Sequence, residues 1–359
     1  MSITKRTASA ALPLIVLSLT ACGTIGAGSV TRDRFEYTSA VAESWKSQML
    51  LNVVKLRYGD TPVFLDVGQI VSGYTVQSTF SATGNIFNFA RGVIPTDPTS
   101  VIGLGAQGQF TDRPTITYSP LVGERFARSL MKPIPPPAIM SLIQADNPID
   151  VVFRLTVNLV NGIHNRFGGD LRARPADPEF YPLLERLRRI QASGVIGMRL
   201  QRTDGEEALV MTFRQKVPPA IEADILAVRQ MLGLDPSARE FRVVYGAVAA
   251  NDKEIAILSR SILEVLIDLS SFITVPEAHV KEQRVGATAE PEAGPAGPIR
   301  PSLRIASSAE RPADAFVATP YRDHWFWIDD RDMPSKRLFT FLMFIFTLVE
   351  NGGKEAPPS

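Results

Sequence analysis

The chain has 359 residues, 45% of them hydrophobic and 21% charged, with 38 Lys+Arg against 37 Asp+Glu for a formal charge of +1. That balance excludes a mostly disordered chain and leaves enough apolar surface for one large or two modest cores. It also excludes the basic stripe that a nucleic-acid partner requires, and a lone cysteine excludes an intramolecular disulfide or a cysteine-cluster metal site.

The first signal in chain order is an address. Lys5 and Arg6 precede the apolar run Ala8–Thr20, which is short for a bilayer span and of the right length for a secretory h-region. Leu19-Thr20-Ala21-Cys22-Gly23 follows and resembles the lipobox of bacterial lipoproteins. The resemblance implies a diacylglycerol thioether on Cys22, cleavage before it, and acylation of the freed amine. An ordinary signal peptide with a chance cysteine is the competing reading. Acyl chains contribute ~0.8 kcal/mol per buried CH₂, enough for stable anchoring without a transmembrane helix. Gly23 occupies the place where inner-membrane lipoproteins of many Gram-negative bacteria carry Asp, so the resemblance implies the outer membrane and its periplasmic face.

Gly23–Asp33 is small and polar, a tether by composition. Val41, Trp45, Met49, Val53 and Leu56 recur at helical spacing until Gly59-Asp60, and Val63–Val67 reads as a short strand. Residues 70–118 are rich in Gly, Ser and Thr and poor in charge. Tyr74, Val76, Ser78 and Phe80 alternate there, Arg91–Ser100 is turn-rich, and alternation is imperfect from Gly84 to Gly108. Helices are expected over Leu121–Met131 and Ala138–Ala145, with Pro135-Pro136-Pro137 forcing an extended bend between them. Phe153, Leu155, Val157 and Leu159 alternate like a strand, with a helix as the competing reading.

The second half suggests a repeated hairpin-plus-helix unit. Strands at 195–201 and 208–214 lead to a helix at 219–232, strands at 241–248 and 254–258 to one at 260–272, and strands at 315–319 and 324–328 to one at 335–350. Ordinary alternation of helices and strands explains the pattern equally well. Phe339–Val349 is very apolar but spans about half a hydrocarbon core as a helix, so it predicts a buried helix across a sheet. The expected class is α+β: an N-terminal helix with a Gly/Ser-rich antiparallel β region, then an antiparallel sheet built from hairpin-helix units. The expected divisions are a signal peptide at 1–21, a flexible tether at 22–34, and a helix plus hairpin-rich region at 35–147. An α+β domain follows at 148–350, with a Pro/Gly/Ala loop near 286–301, and then a disordered tail at 351–359.

Chemical candidates are few. Gly103-Leu104-Gly105-Ala106-Gln107-Gly108 matches a dinucleotide fingerprint, yet no helix follows, and a glycine-bearing hairpin explains it better. Ser129-Leu130-Met131-Lys132 matches SxxK, but at the end of its helix and with no KTG or SDN element. Of the three histidines, none has a histidine partner at zinc spacing. His324 is the weak catalytic candidate, with Asp329, Asp330 and Asp332 nearby; a turn and helix start explain the acids more simply. Trp325 and Trp327 fall on one face and Phe326 and Ile328 on the other, as in a strand buried on both sides.

Three stretches resemble one family of uncharacterised proteobacterial lipoproteins: Leu56-Arg57-Tyr58-Gly59-Asp60-Thr61-Pro62-Val63-Phe64-Leu65-Asp66-Val67, Asp112–Tyr118 and Trp327–Asp332. That resemblance covers nearly the whole mature chain and implies no activity, no cofactor and no catalytic residue. The expectation is a non-enzymatic assembly, accessory or scaffold lipoprotein that binds another envelope protein, with a homo-oligomer as a further possibility. The runner-up is a subunit of an oligomeric outer-membrane pore donating β-hairpins from 70–118. A periplasmic hydrolase built around His324 comes third.

Overall fold

A computed structural model describes residues 27–71, 74–84, 102–112, 115–121, 124–169, 173–203, 206–214, 217–295 and 297–351. The expected signal peptide, Cys22, the turn-rich Arg91–Ser100 and nearly all of the expected tail lie outside the described residues. The class is α+β. The described residues divide into two compact units, one built from those up to Phe64 and those from Glu124 onward, the other from those between Leu65 and Leu121. The expected boundary at 147/148 does not appear: the N-terminal helix belongs to the same body as the C-terminal elements.

That helix, α1 (Ala27–Arg57), begins inside the stretch expected to be a flexible tether. Its C-terminal half buries Met49, Leu50, Val53 and Val54 completely, and a helix nucleated by such packing extends outward at little cost per residue. Asn52 clamps the exit of the helix. Its side-chain amide donates to the Val63 carbonyl at 2.8 Å and its oxygen accepts from the Val63 N–H at 2.9 Å.

In the body, α2 (Glu124–Met131), α3 (Pro136–Gln144) and α4 (Ile149–Thr156) come next. Pro136 and Pro137 sit in the first turn of α3, where a missing N–H costs nothing, so the triple proline starts a helix with only Pro135 extended. α4 corrects the strand expected through Phe153 and Leu155. It buries Ile149, Val152, Phe153, Leu155 and Thr156, a face so wide that it imitates alternation. Only from Val157 does a strand run.

The main sheet has six strands in the order β6-β5-β10-β9-β8-β7. These are β5 (Val157–Val160), β6 (Ile163–His164), β7 (Ile196–Thr203), β8 (Glu206–Phe213), β9 (Glu240–Tyr245) and β10 (Glu254–Ser259). β7 and β8 form the expected hairpin, followed by α6 (Pro219–Met231), which packs on α5 (Phe180–Ala192). β9 and β10 do not form one: they pair in parallel, Arg242 opposite Glu254 and Tyr245 opposite Ile257. After a short antiparallel ladder of β11 (Ala293–Gly294) with β12 (Gly297–Pro298), the third pair, β14 (Ala315–Tyr321) and β15 (His324–Asp329), is a true hairpin, but it lies in a separate three-stranded sheet with β13 (Ala306–Ser308). Three differently built units therefore replace the suggested repeat. On β15 only Phe326 and Ile328 are fully buried, while the Trp face is half-buried. The last helix, α9 (Met333–Asn351), buries Leu338, Phe339, Leu342, Ile345 and Phe346 on one face. No described helix is long and apolar enough to cross a membrane.

Arg260 ties these pieces together. It precedes α7 (Ile262–Ser270), whose N-cap Ser261 forms a capping box with Glu264, and it is fully buried. Its guanidinium bonds Asp268 Oδ2 at 3.0 Å, the Arg154 carbonyl at 3.2 Å, Asn158 Oδ1 at 3.2 Å and the Arg166 carbonyl. Asp268 Oδ1 in turn accepts from Arg166 Nη1 at 2.8 Å and from the Gly168 N–H at 2.7 Å. A Cβ on Gly168 would collide with the side chains of Ser271 and Arg166, so only glycine brings that N–H to the carboxylate. The Pro/Gly/Ala loop expected near 286–301 is tied to the body: Ala289 N–H donates to the Ser271 carbonyl, and Glu292 accepts from Tyr181 at 2.7 Å.

Replacing Asp268 by Asn keeps the shape and removes the charge that matches Arg260. Urea unfolding followed by circular dichroism should show a loss of about 3–5 kcal/mol, the usual cost of stranding a buried charge. A loss under ~1 kcal/mol would mean that the hub does not hold the body together.

Candidate functional site

The structure separates His324 from the acids beside it in sequence. His324 opens β15 and Asp329 closes it, ~16 Å away along an extended strand. Asp329 accepts from the Arg331 N–H at 2.8 Å, and Asp330 pairs with Lys336 at 2.6 Å. Asp332 accepts from the Ser335 hydroxyl at 2.7 Å and Arg304 Nε at 2.8 Å. Burial pushes the Asp332 carboxyl up, but the bonds from Arg304 and Ser335 outweigh it and hold it below its ordinary range. These three acids build a turn and the start of α9.

His324 instead meets His279, which lies in α8 (Glu277–Lys281), with ring centres 4.9 Å apart. His279 is buried, and its Nδ1 lies 2.8 Å from the Tyr58 hydroxyl at the end of α1. Tyr58 packs edge-on against Tyr321, whose hydroxyl donates to Asp60 Oδ2 at 3.0 Å. The Arg322 guanidinium lies over both tyrosine rings, at 5.2 and 5.4 Å. Burial lowers the His279 pKa, helped by the charges of His324, Arg284 and Arg322 and opposed by Glu282. The Tyr321 hydrogen bond is the largest factor holding the Asp60 carboxyl below its usual value. Sequence reasoning missed this cluster because its members come from three distant segments. The one local trace is the turn Arg322-Asp323, both residues with positive φ, which closes the β14–β15 hairpin beside Tyr321 and His324. Among the described residues, no group of three or more His, Cys, Asp or Glu is arranged to hold a metal ion.

Two grooves lie elsewhere on the body. The first, about 440 Å³, has an apolar lining that includes Val151, Leu338 and Phe341, together with Arg154, Arg300 and Arg337. The second, of similar volume, brings Asp329 and Asp332 together with Arg304 and Trp327, whose buried Nε1 has no partner among the described residues. Two of the sequence candidates thus share a groove, without His324. The Ser129 hydroxyl of the SxxK match bonds back to the Phe126 carbonyl, as in an ordinary helix end.

The second unit is built from β1 (Phe64–Val71), β2 (Tyr74–Gly84), β3 (Ile102–Asp112) and β4 (Thr115–Leu121). They form two separate two-stranded ladders, β1 with β4 and β2 with β3. The β2–β3 register is unbroken over eleven antiparallel pairs, from Tyr74 opposite Asp112 to Gly84 opposite Ile102. It places Gly103, Gly105 and Gly108 inside a strand, so the dinucleotide match has no strand-to-helix turn. In β1–β4, an added Cβ at Gly68 would lie 3.3 Å from Ser119 Oγ, so even positions of β1 share a face with odd positions of β4. The opposite face carries Leu65, Val71, Ile116 and Tyr118, exposed by 43%, 50%, 40% and 56%.

No family model, curated protein or solved structure matches the chain.

The His279 shift has a definite sign. Its folded pKa lies below the unfolded 6.5, so the unfolded chain binds the proton first and stability is lost as pH falls below that value. The wild-type melting temperature should therefore drop between pH 7.5 and 5 by more than that of His279→Gln, measured by circular dichroism. Equal pH slopes for the two proteins would contradict the assignment.

Proposed function

We propose that this chain is a lipoprotein held at the periplasmic face of the outer membrane through Cys22, and that it is a non-enzymatic assembly component of the cell envelope. The address rests on the order of a basic start, an apolar run and Leu19-Thr20-Ala21-Cys22. The observation that carries the assembly role is the 65–121 unit: two-stranded ladders with no further neighbouring strand among the described residues, and exposed side chains at Leu65, Val71, Ile116 and Tyr118. A strand edge without a neighbour offers a row of N–H and C=O groups, and another strand is the partner that satisfies them. Such a surface joins proteins; it does not turn over a substrate.

A second reading, a hydrolase, is favoured by one observation, the His279–His324 pair beside Tyr58 and Asp60. Tyr58, Tyr321, His279 and His324 pack ring against ring between the end of α1, α8 and the β14–β15 hairpin, and neither of the two grooves described above is lined by them.

Protein extracted from envelopes of the native host should have the intact mass of the chain from Cys22 plus a diacylglyceryl group and an amide-linked acyl chain. Cys22→Ser should shift it from the membrane to the soluble fraction. Full-length, unmodified precursor in the cytosol would overturn the proposal.

A further inference from the structure

The β2–β3 register has a consequence for the environment of the hairpin. Alternation along an antiparallel ladder puts paired residues on one face. One face of this ladder carries Val76 opposite Phe110, Phe80 opposite Ala106, Ala82 opposite Leu104 and Gly84 opposite Ile102. The other carries Gln77 opposite Gln109, Thr79 opposite Gln107, Ser81 opposite Gly105 and Thr83 opposite Gly103. Pairing accounts for much of the alternation that looks imperfect along the sequence: Gly103 and Gly105 fall on the polar face opposite Thr83 and Ser81, and the apolar face is interrupted by Ser78 opposite Gly108 and, at its end, by Tyr74 opposite Asp112. Across both strands the sole charge is Asp112, at the end of the ladder.

Three physical requirements converge on a bilayer. Each strand has 11 residues. At ~3.3 Å per residue and a tilt of ~40°, that gives a height of ~28 Å, the thickness of a hydrocarbon core. A ladder charged only at its end, by Asp112, with one mainly apolar and one Thr/Ser/Gln/Gly face, has the alternation of a stave between lipid and water. Finally, the outer edges of β2 and β3 have no neighbouring strand among the described residues, and open edges cannot stand in hydrocarbon. Edges of identical hairpins complete one another, because β2 of one copy can pair with β3 of the next around a ring.

We propose that the Tyr74–Gly84/Ile102–Asp112 hairpin spans the outer membrane as part of one β-barrel shared by several copies of this chain, apolar face to lipid and polar face to a water-filled lumen. Each copy supplies two strands, so at least about four copies are needed to close the smallest barrels. This inference rests on the lipid-anchored assembly reading and names its partners: other copies of the chain, and the bilayer.

The test uses lipidated full-length protein in phosphatidylethanolamine/phosphatidylglycerol vesicles loaded with a small dye and a large dextran. Wild type should release the dye, retain the dextran, and cross-link into closed oligomers. Val76→Asp with Phe80→Asp, on the apolar face, should abolish release. Gln77→Asp with Thr79→Asp, the same added charge on the polar face, should keep release and favour cations. Circular dichroism melts of both variants should match wild type, since neither pair lies in the body. Wild-type vesicles that stay sealed, or two variant pairs with the same effect, would overturn the barrel. If the protein still floats with sealed vesicles, the anchored assembly reading survives alone; if it does not float, both fail.

Discussion

A guanidinium sealed from water needs a matching charge and a use for its N–H groups, and Arg260 places both demands at the centre of the body. They are met only when the end of α4, the start of β5, the loop at 165–168 and α7 are all in place, because each supplies an acceptor or holds Asp268. A buried ion pair adds little net stability over a well-packed apolar replacement; it penalises every arrangement that strands one charge. Here it joins elements more than a hundred residues apart. The Arg260 N–H donates to the Thr156 carbonyl at 2.7 Å and its own carbonyl accepts from Ile134 at 2.9 Å, so the backbone is stitched at the same point.

The sequence was legible where local patterning and tertiary burial agree. The α+β class, the helix through Met49 and Val53, the β7–β8 hairpin and the apolar face of α9 all follow from spacing alone. It misled where a local signal was true at the wrong scale. Asn251 does make a tight turn, its Oδ1 accepting from the Lys253 N–H at 2.9 Å, yet that turn ends a crossover and β9 and β10 run parallel. In α4 the β-branched and aromatic residues look extended because nearly every side of the helix is buried. Ser259-Arg260-Ser261-Ile262-Leu263 and Ser335-Lys336-Arg337-Leu338-Phe339 both run from a serine and a basic residue into apolar ones, without sharing a cap: Ser261 caps α7 itself, whereas Asp332 receives the bonds of Ser335.

The candidate residues divide the same way. Asp329, Asp330 and Asp332 could be read as turn and helix start because each bonds a near neighbour, Arg331, Lys336 and Ser335, although Asp332 also holds the distant Arg304. The meeting of His279, His324, Tyr58 and Asp60 could not, because three separated segments create it. The hairpin is the reverse case. Its apolar and polar positions are present in the sequence, but their consistency depends on knowing which residue of β3 stands opposite which residue of β2.

The ladder's two faces carry the account, and nitroxide scanning examines them directly. The chain has one native cysteine, blocked in the lipidated protein, so single Cys substitutions from Val76 to Ser81 can be spin-labelled one at a time in proteoliposomes. Oxygen accessibility should peak at 76, 78 and 80, and that of a water-soluble nickel complex at 77, 79 and 81. A flat profile, with every position open to the nickel reagent, would contradict the two-faced membrane hairpin.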